Sequence, residues 1–315
     1  MSMLAADIAT CFELKSVLIA TDFSTASEKA LSYALSIARH YSAKLYLIHV
    51  VSSLGLTMAG PEAIPQATTA ALRDATLTER ELVSRGALSG IRHQVIVRQG
   101  DVWTELQAVM RDKSIDLLIV GIRGRTGFKR LVLGSVAEQI FRNASCRVLT
   151  VGPYSPDDAT LEPGTPRPLL FATDFTEASL AALPEAVSLA NQRRAKLVLF
   201  HAVSSIPQIQ PNRWYWPDDM TKMQAATAST ARKRLQQLVE DAPLGIEPEC
   251  VTEVSEPAEG ILYAARVLRP EIIIMGLKPR TFTDTRSHLP WSIAYDVVCG
   301  AVCPVLTVRS DSATQ

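Results

Sequence analysis

The sequence lacks the features of a membrane or secreted protein. No apolar run in its 315 residues approaches the length that spans a bilayer. The opening residues MSMLAADIAT carry no basic segment and reach Asp7 after a short apolar run, so we expect no secretory signal. The five cysteines are odd in number and form no repeating pair pattern, which argues against a disulfide framework. We therefore expect a cytoplasmic protein without membrane insertion.

Charge and catalytic motifs are equally uninformative at the level of the whole chain. Lys and Arg number 32 against 32 Asp and Glu, so nothing global favours a nucleic-acid partner. Neither a P-loop G-x4-G-K-[ST] nor a strand followed by G-x-G-x-x-G is present. No carboxylate pair, catalytic triad or metal cluster can be assembled from spacing alone, so binding is favoured over catalysis.

The sequence does contain an internal repeat. ATDFS at 20–24 recurs 152 residues later as ATDFT at 172–176, and AKLYLIHVV at 43–51 recurs as AKLVLFHAV at 195–203. Between the copies, residues 152–168 contain five prolines and two glycines, a composition that breaks helices and central strands. We therefore predict two domains, 1–151 and 169–315, joined by a proline-rich linker over 152–168.

Within each copy, short Val/Ile/Leu-rich runs alternate with helical stretches, the first of which is predicted to begin with a capping box of Thr25 and Glu28. This alternation is typical of a doubly wound, Rossmann-like α/β domain with a parallel sheet. Both copies end in an apolar VLTV, at 148–151 and 305–308, which would leave an exposed strand edge if unpaired. We expect the copies to form a pseudo-symmetric pair, and chains to associate further as a homodimer.

Two features fall where predicted strands end, which is where ligands bind in such sheets. Asp22 follows the strand VLIAT, and Gly121 follows DLLIV and opens GIRGRTGFKRLVLGS, residues 121–135. Its glycines let the backbone approach a ligand or adopt positive φ, and the helix that follows favours an anion at its N-terminus. Nearby basic side chains add positive potential, so the loop predicts a phosphate site; these are Arg123, Arg125, Lys129 and Arg130.

Several of these residues have a simpler interpretation. The basic side chains could belong to a solvated loop, and Ser135 with Glu138 fits a capping box. His49 and His201 occupy matching places in the two copies, and such histidines are more often packed and hydrogen-bonded than catalytic. The run WYW at 214–216 is interpreted as a loop that packs on a domain or subunit, with a ligand lid as the alternative.

The strand-end ATDFS and the pattern G-x2-G-x9-G-S at 121–135 resemble the universal stress protein family, and the likeness covers nearly the whole chain as two tandem copies. In ATP-binding members, this resemblance implies that Asp22 contacts the adenosine, Val50 lines the adenine pocket, and the glycine loop holds ribose and phosphates. A divalent cation such as Mg²⁺ would accompany the triphosphate. The implied nucleotide-binding residues are Asp22, Val50, Gly121, Arg123, Gly124, Gly134, Ser135 and Val136.

The family therefore implies a stress or regulatory protein whose ATP occupancy is read by an unidentified protein partner. Two alternatives remain open: a slow ATPase, for which no water-positioning residue is identifiable, and a nucleotide-free interaction scaffold with vestigial sites. The second copy keeps Asp174 and Gly276 but has Pro279 at the place of Gly124 and Trp291 at that of Gly134. These changes oppose a polyphosphate, so we expect one nucleotide per chain.

Overall fold

The computed structural model describes residues 12–52, 63–122, 135–157, 167–204, 217–241, 245–278 and 289–309. They group into two compact units, 13–157 and 167–309, with Phe12 belonging to the second. The Phe12 amide donates a hydrogen bond to Ser188 Oγ at 3.2 Å, and its carbonyl accepts one from Gln192 Nε2 at 2.9 Å. Residues 158–166, within the predicted linker, lie outside the described residues.

The first unit alternates strands and helices along its whole length. Its described elements are β1 (Ser16–Ala20), α1 (Thr25–His40), β2 (Lys44–Ser52), α2 (Ala63–Ser84), β3 (His93–Gly100), α3 (Val102–Asp112), β4 (Leu117–Gly121), α4 (Ser135–Asn143) and β5 (Arg147–Val151). The strands pair in parallel in the order β3-β2-β1-β4-β5. Each parallel connection therefore crosses over through a helix.

The second unit repeats this plan. Its described elements are β6 (Leu169–Ala172), α5 (Glu177–Leu180), α6 (Leu183–Arg193), β7 (Leu197–Val203), α7 (Pro217–Asp241), β8 (Glu249–Val254), α8 (Pro257–Leu268), β9 (Ile272–Leu277), α9 (Leu289–Gly300) and β10 (Val305–Arg309). The parallel order β8-β7-β6-β9-β10 matches that of the first unit. The predicted fold class of two tandem parallel α/β domains is confirmed. The association of the two copies as a pair stays a prediction.

Helices cover both faces of the first sheet. On one face, Leu18, Ile48 and Leu118 form a buried cluster with Leu106 of α3 and Ile140 of α4. On the other face α1 packs on β1 and β4, and α2 packs on β2 and β3. The strands are thus apolar on both sides, as a parallel sheet between helices requires.

Two local features differ from the sequence prediction. The N-cap of α1 is Ser24, whose hydroxyl accepts a hydrogen bond from Ser27 N, so the predicted cap at Thr25 is wrong by one residue. The beginning of the predicted linker packs on α1, because Lys29 Nζ donates to Pro153 O at 3.1 Å and to Ser155 O at 2.8 Å.

None of the helices described is long and apolar enough to cross a bilayer.

Candidate functional site

The carboxyl ends of β1 and β4 bring two of the predicted site residues to one edge of the first sheet. Ala20 of β1 is the register partner of Val120 in β4. Gly121 follows Val120 directly, and Asp22 lies two residues beyond Ala20. The structure therefore brings these two strand ends together.

Asp22 organises the turn between β1 and α1. Its Oδ1 accepts hydrogen bonds from Ser24 N at 3.1 Å and from the hydroxyls of Ser24 and Ser27. Its own amide donates to Ser27 Oγ at 3.1 Å. The side chain is exposed and stands at the N-terminus of α1, where the helix dipole favours negative charge. Asp22 thus has a structural role independent of any ligand.

Gly121 is required by helix packing. A Cβ atom added to Gly121 would lie 2.2 Å from the carbonyl oxygen of Ala26 in α1, well inside the contact distance. Its φ lies outside the left-handed region, so the positive φ considered from the sequence is not the reason for this glycine. The same holds in the second unit, where a Cβ on Gly276 would lie 2.2 Å from Ala178 O.

Val50 of β2 lies on the sheet face that α3 and α4 cover, and Val136 lies in the first turn of α4. Both are partly buried and pack against the same apolar cluster, as does Trp103 of α3. The helix α4 begins at Ser135, so its first backbone N–H groups stand next to this cluster. The other predicted residues, Arg123, Gly124 and Gly134, lie outside the described residues, as does the Ser135 side chain.

A histidine and a phenylalanine support the Asp22 turn. His49 Nδ1 lies 2.9 Å from the carbonyl oxygen of Thr21, and its ring stacks on Phe23 with centroids 4.8 Å apart. Phe23 has a φ of +56°, an unusual conformation for a side chain of this size. His49 was expected to be packed and hydrogen-bonded, and it is. Its partner Phe23 was missed, because the sequence gives no sign of a positive φ at that position.

The second unit contains the same turn with small changes. Asp174 Oδ1 accepts hydrogen bonds from Thr176 N at 2.9 Å and Thr176 Oγ1 at 2.6 Å. Burial raises the pKa of Asp174, but the hydrogen bonds from Thr176 and Ser179 outweigh it and leave the pKa below its ordinary value. His201 Nδ1 lies 2.7 Å from Thr173 O.

The two units differ at the start of their last helix. Ser292 aligns with Ser135 when the closing VLTV strands are matched. In the first unit α4 begins at Ser135, whereas α9 begins at Leu289, three residues before Ser292. Three helical residues correspond to ~4.5 Å along the axis. The N-terminal N–H groups of this helix therefore occupy a different place in the second unit.

An open cavity of about 840 Å³ borders the same strand edge of the first unit on the α1 side. Thr21, Phe23 and Ser27 line it near the turn, and Ile122 and Val151 line it near β4 and β5. Val50 and Val136 do not line this cavity, since they face the opposite side of the sheet. No group of three or more metal-ligating side chains occurs among the residues that the structure describes.

Two units with the strand order 3-2-1-4-5 and helices on both faces define a tandem pair of Rossmann-like α/β domains, with the candidate site at the strand edge where the order reverses. The model of the universal stress protein family matches residues 13–152 and 166–309. The chain belongs to the universal stress protein family, with one copy of its domain in each unit.

Individual relatives agree with this assignment. A universal stress protein of Methanocaldococcus jannaschii is 31% identical over 141 residues, which cover 44% of this chain and 81% of that protein. One from Mycolicibacterium smegmatis is 26% identical over 302 residues, covering 93% of this chain and 96% of its own length. A solved universal stress protein from Archaeoglobus fulgidus shares the fold with a TM-score of 0.68 at 19% identity, covering 95% of this chain and 99% of that one.

Proposed function

We propose that the first unit binds ATP and that the chain is a nucleotide-responsive stress or regulatory protein. The observation that carries this proposal is the strand edge itself. An exposed carboxylate, Asp22, stands beside Gly121, while Val50 and Val136 pack in one apolar cluster next to the start of α4. Apolar side chains for a base beside a helix N-terminus for phosphate form an arrangement that suits a nucleotide.

Different residues contact different parts of the bound ATP. Asp22 accepts hydrogen bonds from the adenosine part, and Val50 and Val136 contact the adenine and ribose. The loop from Gly121 to Ser135 holds the phosphates through backbone N–H groups, with Arg123 adding positive charge; its other proposed contacts are Gly124 and Gly134.

A bound triphosphate would carry Mg²⁺ or another divalent cation. Magnesium keeps several waters and is usually held by phosphate oxygens plus one or two carboxylates, so it requires no protein cage. Asp22 is the exposed carboxylate at this edge that could share the ion.

The second unit is proposed not to bind ATP in this manner, so that each chain holds one nucleotide. The earlier start of α9 supports this, because the helix N-terminus that would face the phosphates is displaced. A change of nucleotide occupancy in the first unit would alter a surface that a protein partner reads. We further propose that the protein acts in the cytoplasm as a homodimer, where the thiols of Cys146, Cys250 and Cys303 stay reduced.

The experiment is to denature freshly purified protein and identify released nucleotides by mass spectrometry, together with calorimetric titration of stripped protein with MgATP. We expect an adenine nucleotide at about one per chain. Protein that carries no nucleotide and binds none in calorimetry would contradict the proposal and favour the interaction scaffold. A phosphate-release assay separates stable binding from slow hydrolysis.

A further inference from the structure

Arg98 lies beside Val50 at the carboxyl edge of the first sheet. The two residues are register partners in the parallel pair β2 and β3. Side chains alternate along a strand, and Ile48 and Ile96 both belong to the apolar cluster under α3. Val50 and Arg98, each two residues further on, therefore face the same side of the sheet. Arg98 is exposed and forms no ion pair within the described part of the chain.

Trp103 lies on this same face, in the first turn of α3. It is partly buried and packs against the apolar cluster that also contacts Val50 and Val136. The start of α3 is fixed by its N-cap, since Asp101 Oδ1 accepts hydrogen bonds from Thr104 N at 2.9 Å and Thr104 Oγ1 at 2.8 Å. The indole is therefore held near the strand edge with part of its surface accessible.

The second unit has different side chains at the positions of Val50, Arg98 and Trp103. At the matching register, Ala202 pairs with Glu253 where the first unit pairs Val50 with Arg98. The residue two places after the N-cap is Ala258 in α8 and Trp103 in α3. The second unit thus has a negative charge where the first has a positive one, and a methyl group where the first has an indole.

We infer that Arg98 and Trp103 form the base-binding wall of the first unit's nucleotide site. This inference rests on the proposed ATP binding and extends it to two residues outside the glycine loop. An indole offers a planar face on which a base stacks, and a guanidinium donates to the acceptor nitrogens of adenine. Because both residues stand on the β3 side of Val50, they contact the base. The loop after β4 contacts the phosphates.

The test converts each residue to its counterpart in the second unit. Stripped full-length protein is titrated calorimetrically with MgATP as wild type, Trp103→Ala, Trp103→Phe and Arg98→Glu. We expect affinity for ATP to fall about tenfold for Trp103→Ala, the order of one lost stacking contact. Trp103→Phe keeps an aromatic face and should stay within about threefold. Arg98→Glu should weaken binding at least tenfold, since it removes a donor and adds repulsion toward the anion.

Two controls separate base recognition from loss of structure. Arg111→Glu makes the same charge change at the exposed far end of α3 and should leave ATP affinity unchanged. Inorganic tripolyphosphate has no base, so its affinity should be the same for wild type and Trp103→Ala. Equal losses of ATP and tripolyphosphate affinity in Trp103→Ala would mean that the indole only supports the fold, and would overturn the inference.

The outcomes distinguish this inference from the proposed function. Wild type that binds ATP while Trp103→Ala and Arg98→Glu bind it equally well overturns the inference alone. Wild type that binds no ATP overturns the proposed function and the inference with it. Selective loss of ATP affinity in Trp103→Ala and Arg98→Glu, with Arg111→Glu unaffected, supports both.

Discussion

His49 Nδ1 lies 2.9 Å from the carbonyl oxygen of Thr21, and in the second unit His201 Nδ1 lies 2.7 Å from that of Thr173. Because a carbonyl oxygen only accepts, Nδ1 is the donor in each of these two contacts. Each ring also packs on a phenylalanine of positive φ in the same turn. The two units share this contact although the sequences of their loops after β4 and β9 differ. The contact therefore serves the fold of the strand end.

The first prediction concerns this histidine. His49→Leu removes the hydrogen bond but keeps an apolar side chain against Phe23. The free energy of unfolding of the first unit should fall by about 0.5–1.5 kcal/mol, the usual net value of one hydrogen bond. His201→Leu should have a similar effect on the second unit. Urea denaturation measures both, and unchanged midpoints would show that the turn does not depend on the imidazole.

The second prediction concerns Gly121. In Gly121→Ala the new methyl group would meet Ala26 O at 2.2 Å, so β4 and α1 must move apart. We expect the free energy of unfolding to fall by about 1–3 kcal/mol, as for other overpacked sites. Gly276→Ala should cost a similar amount, because it meets Ala178 O at the same distance. Adding Ala26→Gly should not rescue Gly121→Ala, since the colliding atom belongs to the backbone; rescue would contradict this explanation.

The third prediction concerns the attachment of residues 152–157 to α1. Lys29 Nζ pairs with Asp157 Oδ1 at 2.8 Å, but the Asp157 side chain is 91% exposed and that of Lys29 only 19%. The exposed ion pair therefore contributes little, whereas the hydrogen bonds from the partly buried Lys29 ammonium to two carbonyls contribute more. Lys29→Met should lower the free energy of unfolding by about 1–3 kcal/mol.

Asp157→Asn is the matched control for Lys29→Met. It removes the exposed charge but leaves the bonds to Pro153 O and Ser155 O, so stability should change by less than about 0.5 kcal/mol. Limited proteolysis provides an independent measurement, since Lys29→Met should speed cleavage near residues 152–157. If Asp157→Asn lowered the free energy of unfolding as much as Lys29→Met, the ion pair would matter as much as the bonds to the two carbonyls, and this explanation would be wrong.

The fourth prediction concerns the cysteines. Burial raises the pKa of Cys146 to about 11 and that of Cys303 to about 12. Burial raises the pKa of Cys250 as well, but by less, so iodoacetamide should label Cys250 at pH 8 before Cys146 or Cys303, whose thiolates are scarce at that pH. Because the folded pKa values lie above the ordinary value, the protonated thiols stabilise the fold at lower pH, and this contribution is lost between about pH 9 and 12. Peptide mass spectrometry measures the labelling order, with urea-unfolded protein as the control.

The fold was predictable because its determinants are local in sequence. The apolar runs after Lys44 and after Asp116 already have the length and β-branched content of buried parallel strands, and the repeat confirms them in a second copy. The cap of α1 was misplaced because Thr25 and Ser24 are both good caps. The choice of Ser24 depends on the turn that Asp22 and Phe23 form before it.

The missed features depend on contacts between distant parts of the chain. The proline-rich composition of 152–168 predicted a linker, and only the fold shows that Lys29 forms hydrogen bonds with its first residues. Gly121 was explained by a ligand, because the approach of Ala26 cannot be inferred from spacing. Arg98 could be connected with Val50 only once the register of β2 and β3 was known.

The last prediction compares Asp22 with Asp174. In the stripped full-length protein, Asp22→Ala should weaken ATP binding tenfold or more, corresponding to the roughly 1.5–3 kcal/mol lost with a hydrogen bond to a charged group. Asp22 also accepts hydrogen bonds from Ser24 and Ser27, so part of a loss of ATP affinity could come from disruption of the turn. Asp174→Ala removes the equivalent bonds to Thr176 in the second unit, so it measures the loss of stability that follows when such a turn loses its carboxylate.

Asp174→Ala should lower stability without changing ATP affinity or the stoichiometry of about one nucleotide per chain. Asp174 titrates below its ordinary pKa, so its contribution to stability is present above the unfolded pKa and is lost as pH falls through the folded value. Urea midpoints for Asp174→Ala and wild type should therefore converge toward acid pH. Calorimetry that finds two nucleotides per chain, one lost with each substitution, would show that the second unit binds ATP despite the displaced start of α9.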